Sequence, residues 1–152
     1  MTLAARIATL GGLGNIGPAP GTLASLLTAV AAWVIAATGE RVLVLLAGIG
    51  TMAIGGWAAE HYARERGVAD PSECVIDEVA GQFLACAFAP RTLIGYALAF
   101  LLFRALDIWK PWPIRAAERL HGGLGIVADD AVAGVLSGLV LVGLVLLHLL
   151  RP

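Results

Sequence analysis

Five carboxylate side chains lie at the edges of long uncharged apolar runs, and they are the residues of this chain best suited to chemistry. They are Asp77, Glu78, Asp107, Asp129 and Asp130. An ionised carboxylate costs roughly 2.5–3.5 kcal/mol at the centre of a membrane helix, so acids kept beside hydrocarbon usually have a function. Carboxylate oxygens are hard ligands that favour magnesium, calcium or manganese over zinc. The pattern predicts a metal or phosphate site at a bilayer surface.

Four of these acids form two adjacent pairs, and each pair precedes an apolar run and is predicted to open a helix. Helix capping is the competing interpretation, because acids at a helix N-terminus satisfy free N–H groups and the helix dipole. Adjacent acids repel each other, however, unless a cation or a base lies between them. Gln82 lies four residues after Glu78, on the same helix face. We therefore expect the pairs Asp77-Glu78 and Asp129-Asp130 to form a site as well as to cap helices.

Cationic groups near Asp107 are candidates for binding a phosphate. Arg104, Asp107 and Lys110 are spaced three residues apart, so on a helix Asp107 would contact both cations. Arginine binds phosphate in a bidentate manner and lysine binds it as a point charge. The alternative is a surface salt-bridge ladder flanked by interfacial tryptophans.

Gly21 and Thr22, just before the first apolar helix, are weaker phosphate-binding candidates. Exposed N–H groups at a helix N-terminus can hold an anion, but a loop with Thr22 as a simple N-cap would also explain these residues. The histidines share no ligand spacing. His121, beside two glycines, is a minor phosphate candidate, and His148 is expected at the membrane interface.

The composition is that of a polytopic membrane protein. The 152 residues are 59% hydrophobic and 14% charged, with a net charge of −1. The chain is expected to be one domain, residues 1–152, without a cleaved signal peptide. Nucleic-acid binding is not expected, since it needs a basic face. Cys74 and Cys86 form no CxxC motif, and neither is followed by the Cys-x5-Arg pattern of cysteine phosphatases.

The apolar runs predict an all-α membrane helical bundle with about four or five membrane-embedded helices. Runs 22–38, 42–59 and 131–150 are each near the length of a span. The run 79–103 is interrupted by Pro90-Arg91, which predicts a hairpin of two short helices. A single crossing would instead place the acidic groups on opposite sides of the bilayer.

With the hairpin, the chain obeys the positive-inside rule, and the acid-bearing side is predicted to be cytoplasmic. Three cations lie on the opposite side: Arg41, Arg91 and Arg151. Seven lie on the acid-bearing side: Arg6, Arg64, Arg66, Arg104, Lys110, Arg115 and Arg119.

Four motifs together resemble one family, the phosphatidylglycerophosphatase A family of bacterial membrane enzymes. In order they read GPAPGTLASL, DPSECVIDEVAGQ, FRALDIWKPWPI and GGLGIVADDAVAG. Each block is moderate evidence, but four blocks in this order with membrane runs between them are specific. The departures from the family pattern, at Ala24, Cys74, Leu106 and Val127, remove no charged or metal-competent residue.

The resemblance implies a magnesium-dependent phosphatase on the cytoplasmic face of the inner membrane. Its phospholipid substrate would be phosphatidylglycerophosphate, and its product phosphatidylglycerol. The five carboxylates named above would hold Mg²⁺, and either Glu78 or Asp130 would accept a proton from the attacking water. Arg104 and Lys110, with Gly21 and Thr22, would bind the substrate phosphate.

Two other functions are open. One is a phosphotransferase acting on a lipid or polyprenol phosphate, although the long CDP-alcohol signature is missing. The other is a small cation transporter or channel with an acid-lined path. The transporter predicts carboxylates near the middle of the membrane, whereas here the acids lie at segment ends.

Overall fold

The computed structural model describes residues 1–147, 149 and 150, which fold into helices joined by short connections. This confirms the predicted all-α bundle. His148, expected at the membrane interface, and Arg151, expected on the side opposite the acids, lie outside the described residues. The helices are α1 (Leu3–Ala8), a 3₁₀ helix (Leu10–Asn15), α2 (Pro20–Ala37), α3 (Arg41–Arg66), α4 (Ile76–Ala87), α5 (Leu93–Trp109), α6 (Ile114–Ala117) and α7 (Gly123–Leu146).

Three helices, α2, α3 and α7, are long and apolar enough to cross a membrane. Their outward faces carry large apolar side chains such as Val34, Leu46 and Leu139, each more than half exposed. Their buried positions are mostly alanine, glycine and serine. Small residues inside and large apolar residues outside are typical of helices that pack in lipid.

Helix α4 lies at the centre of the bundle, in contact with α2, α3, α5 and α7. It has 12 residues, of which eight are buried. At 1.5 Å per residue it is about 18 Å long, too short to cross a hydrocarbon core of about 30 Å. Its N-terminus therefore brings Asp77 and Glu78 into the interior of the bundle.

Helices α4 and α5 form the hairpin predicted at Pro90-Arg91. Residues 88–92 make the turn, and the Arg91 guanidinium donates a hydrogen bond of 2.5 Å to the carbonyl oxygen of Ala36 at the end of α2. The start of α4 and the end of α5 consequently meet at the same end of the bundle. There, Arg104 lies 3.7 Å from Glu78.

Glycines bring α4 and α7 into backbone contact. A Cβ atom at Gly134 would overlap the carbonyl oxygen of Gly81, and one at Gly81 would lie 2.5 Å from the carbonyl oxygen of Asp130. The absence of both Cβ atoms sets the depth of α7 beside α4, and hence the position of Asp130 relative to Glu78.

Two predicted helix starts are wrong. Helix α7 begins at Gly123, because the small and apolar residues before the acids continue the helix. Asp129 and Asp130 therefore lie about two turns inside it and do not cap it. Helix α2 begins at Pro20, with Ala19 at the N-cap. Proline suits the first helical position because its fixed φ matches the helix, so Thr22 is not the N-cap.

Candidate metal and phosphate site

A cavity of about 380 Å³ opens at the end of the bundle where α4 and α7 meet. All five sequence-predicted carboxylates line it, together with Lys110, Asp70, Glu118 and His121. Among the described residues the lining holds seven carboxylates and one lysine. So strong an excess of negative charge attracts cations and repels a free anion.

Asp77, Glu78 and Asp130 form the tightest acidic group in this cavity. One oxygen from each lies within 4.8 Å of the other two. Asp77 Oδ1 and Glu78 Oε2 are buried, with no hydrogen-bond partner among the described residues. Buried carboxylates need a compensating charge or hydrogen bond. Three convergent oxygen donors, two of them on carboxylates that carry a buried unsatisfied oxygen, fit a hard divalent cation such as Mg²⁺.

Secondary structure supports these positions. Asp77 and Glu78 lie in the first turn of α4, where free N–H groups and the helix dipole favour negative charge. The N-cap of α4 is Val75, and no side chain makes a capping hydrogen bond there. The pair is therefore favoured by the helix dipole without capping the helix, and the inward-facing oxygens need another explanation. Asp130 is only 3% exposed and lies inside α7, where capping cannot account for it.

Arg104 connects two of the acids. It donates a hydrogen bond of 2.5 Å to Asp107, one helical turn further along α5, and it lies 3.7 Å from Glu78. Its Nε atom is buried without a partner among the described residues. The predicted contact between Asp107 and Arg104 is therefore present, and one guanidinium donor remains available.

Lys110 does not continue the predicted ladder. It ends α5 in the left-handed region, with φ of 48°, so its side chain leaves the helix face that carries Asp107. The ion pairs of Lys110 among the described residues are with Asp129, at 2.7 Å, and Glu118, at 2.9 Å. Burial alone would lower the pKa of Lys110, but these two hydrogen bonds raise it above its usual value. The ammonium group is charged at neutral pH.

Asp70 and Glu118 are cavity residues that sequence reasoning missed. Asp70 is the first residue of the second of the four motifs, and its place in that motif could have marked it as a site residue. Glu118 lies in a short amphipathic segment, and its type and spacing carried no signal. Both residues reach the cavity only because the connections 67–75 and 110–122 fold over the same end of the bundle.

Gly21 and Thr22 contribute differently from the prediction. A Cβ atom at Gly21 would overlap the carboxylate of Glu78, so this glycine lets α2 pack directly against the acidic group. Thr22 lies in the first turn of α2. Neither residue is in the cavity lining found in the described part of the chain.

The fold and the site together define a class of protein. It is a polytopic helical membrane protein with a carboxylate cluster and two cations at one end of the bundle. The sequence model of one family, phosphatidylglycerophosphatase A, matches residues 6–145. The chain belongs to this family.

Two of the relatives that are similar to the chain are named phosphatidylglycerophosphatase A. The protein of Escherichia coli (strain K12) is 42% identical over 97 residues, which cover 62% of this chain and 55% of the relative. The protein of Haemophilus influenzae is 34% identical over 132 residues, 85% of this chain and 80% of the relative. The chain thus aligns with about half the length of the E. coli protein. No solved structure shows a significant match.

Proposed function

We propose that the chain is a magnesium-dependent phosphatase that hydrolyses the terminal phosphomonoester of phosphatidylglycerophosphate, giving phosphatidylglycerol and phosphate. The observation that carries the proposal is the group of Asp77, Glu78 and Asp130, with two buried unsatisfied oxygens, in one cavity with Lys110. Membership in the family and the names of both relatives support this substrate.

A divalent cation is part of the proposal because the cavity is acidic. A phosphate dianion entering a cavity with seven carboxylates would be repelled. Asp77, Glu78 and Asp130 would hold the ion. Bound there, magnesium would neutralise phosphate oxygens and lower the pKa of a water molecule.

Arg104 and Lys110 are the proposed phosphate-binding groups. In the structure each pairs with an acid, Arg104 with Asp107 and Lys110 with Asp129. When substrate enters, these cations turn to the phosphate oxygens and stabilise the charge that develops during transfer. Asp107 and Asp129, no longer paired with these cations, would then be available as further oxygen ligands for magnesium.

The proton of the attacking water goes to a carboxylate. As the water oxygen bonds to phosphorus and the bond to the glycerol oxygen breaks, Glu78 or Asp130 accepts the proton. The glycerol oxygen leaves with a proton from solvent or from the carboxylic acid just formed. Burial raises the pKa of Glu78, and the Arg104 guanidinium, 3.7 Å away, opposes this rise.

The site is proposed to face the cytoplasm from a bacterial inner membrane. Seven cations are expected on the acid-bearing side. They belong to α1, to the ends of α3 and α5, and to the segment that joins α5 to α7. Among the described residues, Arg41 and Arg91 are at the opposite end. This asymmetry follows the positive-inside rule.

The test is phosphate release from phosphatidylglycerophosphate by the purified chain in detergent. We expect release with magnesium, none with excess chelator, and recovery when magnesium is restored. No release from folded protein under any of these conditions would overturn the proposal. Magnesium flux into liposomes without phosphate release would support the transporter instead.

A further inference from the structure

A second, apolar cavity lies between α3 and α7 on the outer side of the bundle. This groove has a volume of about 490 Å³. Its wall is formed by Met52, Ala53 and Trp57 of α3 and by Leu124 and Val127 of α7. The acid in its wall, Glu60, has its carboxylate paired, because it accepts a hydrogen bond from the N–H of Gly123 and forms an ion pair with Arg64. The surface left to the groove is hydrocarbon-like.

The groove exists because glycines let the two helices touch at one point. A Cβ atom at Gly123 would overlap the carbonyl oxygen of Gly56. Beside this contact the small side chain of Ala53 leaves the groove open between the larger side chains of Met52 and Trp57. Trp57 packs against His61 with ring centroids 4.9 Å apart. The His61 imidazole therefore lies at one end of the groove.

The groove and the acidic cavity share a wall. Leu120 and His121, in the connection between α6 and α7, line both. A ligand that reaches over this connection would have one end among carboxylates and cations and the other among apolar side chains. His121 can donate an N–H to a phosphate oxygen at the crossing point.

The length of the groove matches one leaflet. From His61 to Met52 the α3 backbone rises nine residues, about 14 Å. This is near half of a hydrocarbon core about 30 Å thick. The order of chemistry along this path (acidic cavity, imidazole, apolar groove) parallels a lipid with a terminal phosphate, an inner phosphodiester and a hydrocarbon tail.

We propose that the groove between α3 and α7 binds one acyl chain of the lipid whose terminal phosphate occupies the acidic cavity. The inference rests on the proposed function and adds the path by which the substrate is held. A second apolar groove, between α2 and α5, is lined by Trp33, Ala97 and Phe100. It shares no wall residue with the acidic cavity in the described part of the chain, and so provides an internal control.

The test is photolabelling of the full chain in phosphatidylcholine nanodiscs with magnesium. The probe is a phosphonate analogue of phosphatidylglycerophosphate, which cannot be hydrolysed, with a diazirine midway along one acyl chain. We expect labels within 52–57 and 124–128, reduced by the same phosphonate analogue without its diazirine and unaffected by phosphatidylglycerol. Equal labelling of both grooves, no effect of the competitor, or crosslinks between two copies of the chain would overturn the inference.

Matched variants sharpen the test. Ala53 and Ala97 are both exposed alanines in an apolar groove. Ala53→Phe should reduce labelling at least about tenfold, because it occupies the space of several methylenes, and Ala53→Leu should reduce it less. Ala97→Phe should leave labelling unchanged. Loss of labelling in both phenylalanine variants, or in neither, contradicts the proposal.

Hydrolysis measured in parallel separates the two proposals. Phosphate release without competed labelling in the groove would retain the phosphatase and reject the acyl-chain site. Competed labelling without phosphate release would retain the lipid site and reject the phosphatase.

Discussion

Asp77, Glu78, Asp107, Asp129 and Asp130 line one cavity but fall into two groups. Asp77, Glu78 and Asp130 each bring one carboxylate oxygen to a common point, whereas Asp107 and Asp129 are each within 2.7 Å of a cation. Two kinds of residue therefore share the cavity, and substitution should affect them in different ways.

Removing a charge from the convergent group should abolish activity while the fold persists. Asp130→Asn keeps the side-chain shape and relieves repulsion among buried acids, so thermal stability without metal should stay the same or rise. Turnover should fall at least about 100-fold, as expected for loss of a proton acceptor or charged ligand. The assay is phosphate release alongside a melting curve.

The matched control for this substitution is Glu40→Gln, which neutralises an exposed acid at the opposite end of the bundle. It should behave like the wild type. Full activity of Asp130→Asn would remove Asp130 from the site.

Lys110 and Glu118 should differ sharply although they pair with each other. Lys110→Met leaves the Asp129 carboxylate, whose side chain is 8% exposed, without its cation. Breaking such a buried pair costs about 3–5 kcal/mol. Glu118 is 49% exposed, so Glu118→Gln should cost at most about 1 kcal/mol. Thermal unfolding in magnesium-free detergent measures both, and equal losses would argue against Lys110 as the partner that stabilises Asp129.

At the scale of the elements, the short helix α4 determines the site. It contacts four other helices and opens with two acids, and its contact with α7 depends on glycines. Lipid offers no hydrophobic effect to hold helices together, so close backbone packing supplies much of the stability.

Gly81→Ala should damage both stability and turnover. The added Cβ would lie 2.5 Å from the Asp130 carbonyl oxygen and from the Phe103 ring. Overpacking of this kind costs about 1–3 kcal/mol, and the displacement of α7 would separate Asp130 from Glu78. A fall of at least about tenfold in kcat is expected, since misplacement by 1 Å can cost 100-fold.

Gly50→Ala is the matched control for Gly81→Ala, because Gly50 is also within a helix but has no neighbour within 4 Å of its Cβ position. It should keep wild-type turnover and melting temperature. Alanine is the better helix former of the two, so comparable losses in both variants would mean that the contact between α4 and α7 does not cause the effect.

At the scale of the whole molecule, charge asymmetry predicts the orientation in the membrane, and the chain suits a cysteine-labelling test of it. Cys74 and Cys86 are 5% and 1% exposed. Burial raises the pKa of Cys74, which lies outside the spans, to about 12, so this thiol is protonated and unreactive at neutral pH. The natural cysteines should therefore give little background.

Arg119→Cys and Glu40→Cys should react from opposite sides of a bacterial inner membrane. Arg119 is exposed beside the cavity, and Glu40 is exposed at the other end of the bundle. In intact spheroplasts an impermeant maleimide should label Glu40→Cys and leave Arg119→Cys unlabelled until the membrane is opened. The reverse pattern would place the site outside the cytoplasm.

The sequence alone determined the features that depend on local pattern. Apolar runs of span length predicted the membrane helices, because hydrocarbon selects for length and hydropathy. Proline at 90 predicted the hairpin, since it removes an N–H donor from a helix. The types of Asp77, Glu78 and Asp130 indicated oxygen-ligand chemistry wherever they would lie.

Only the tertiary structure decided which groups meet. Which acids converge depends on the depth of α7 beside α4, set by glycines whose backbone neighbours on the other helix are more than 40 residues away in the chain. The partner of Lys110 depends on the left-handed backbone conformation of Lys110 itself, which redirects its side chain. Asp70, Glu118 and the groove beside Ala53 arise from connections and helices that come together in space. These features depend on contacts between distant segments, and neither hydropathy nor spacing along the chain encodes such contacts.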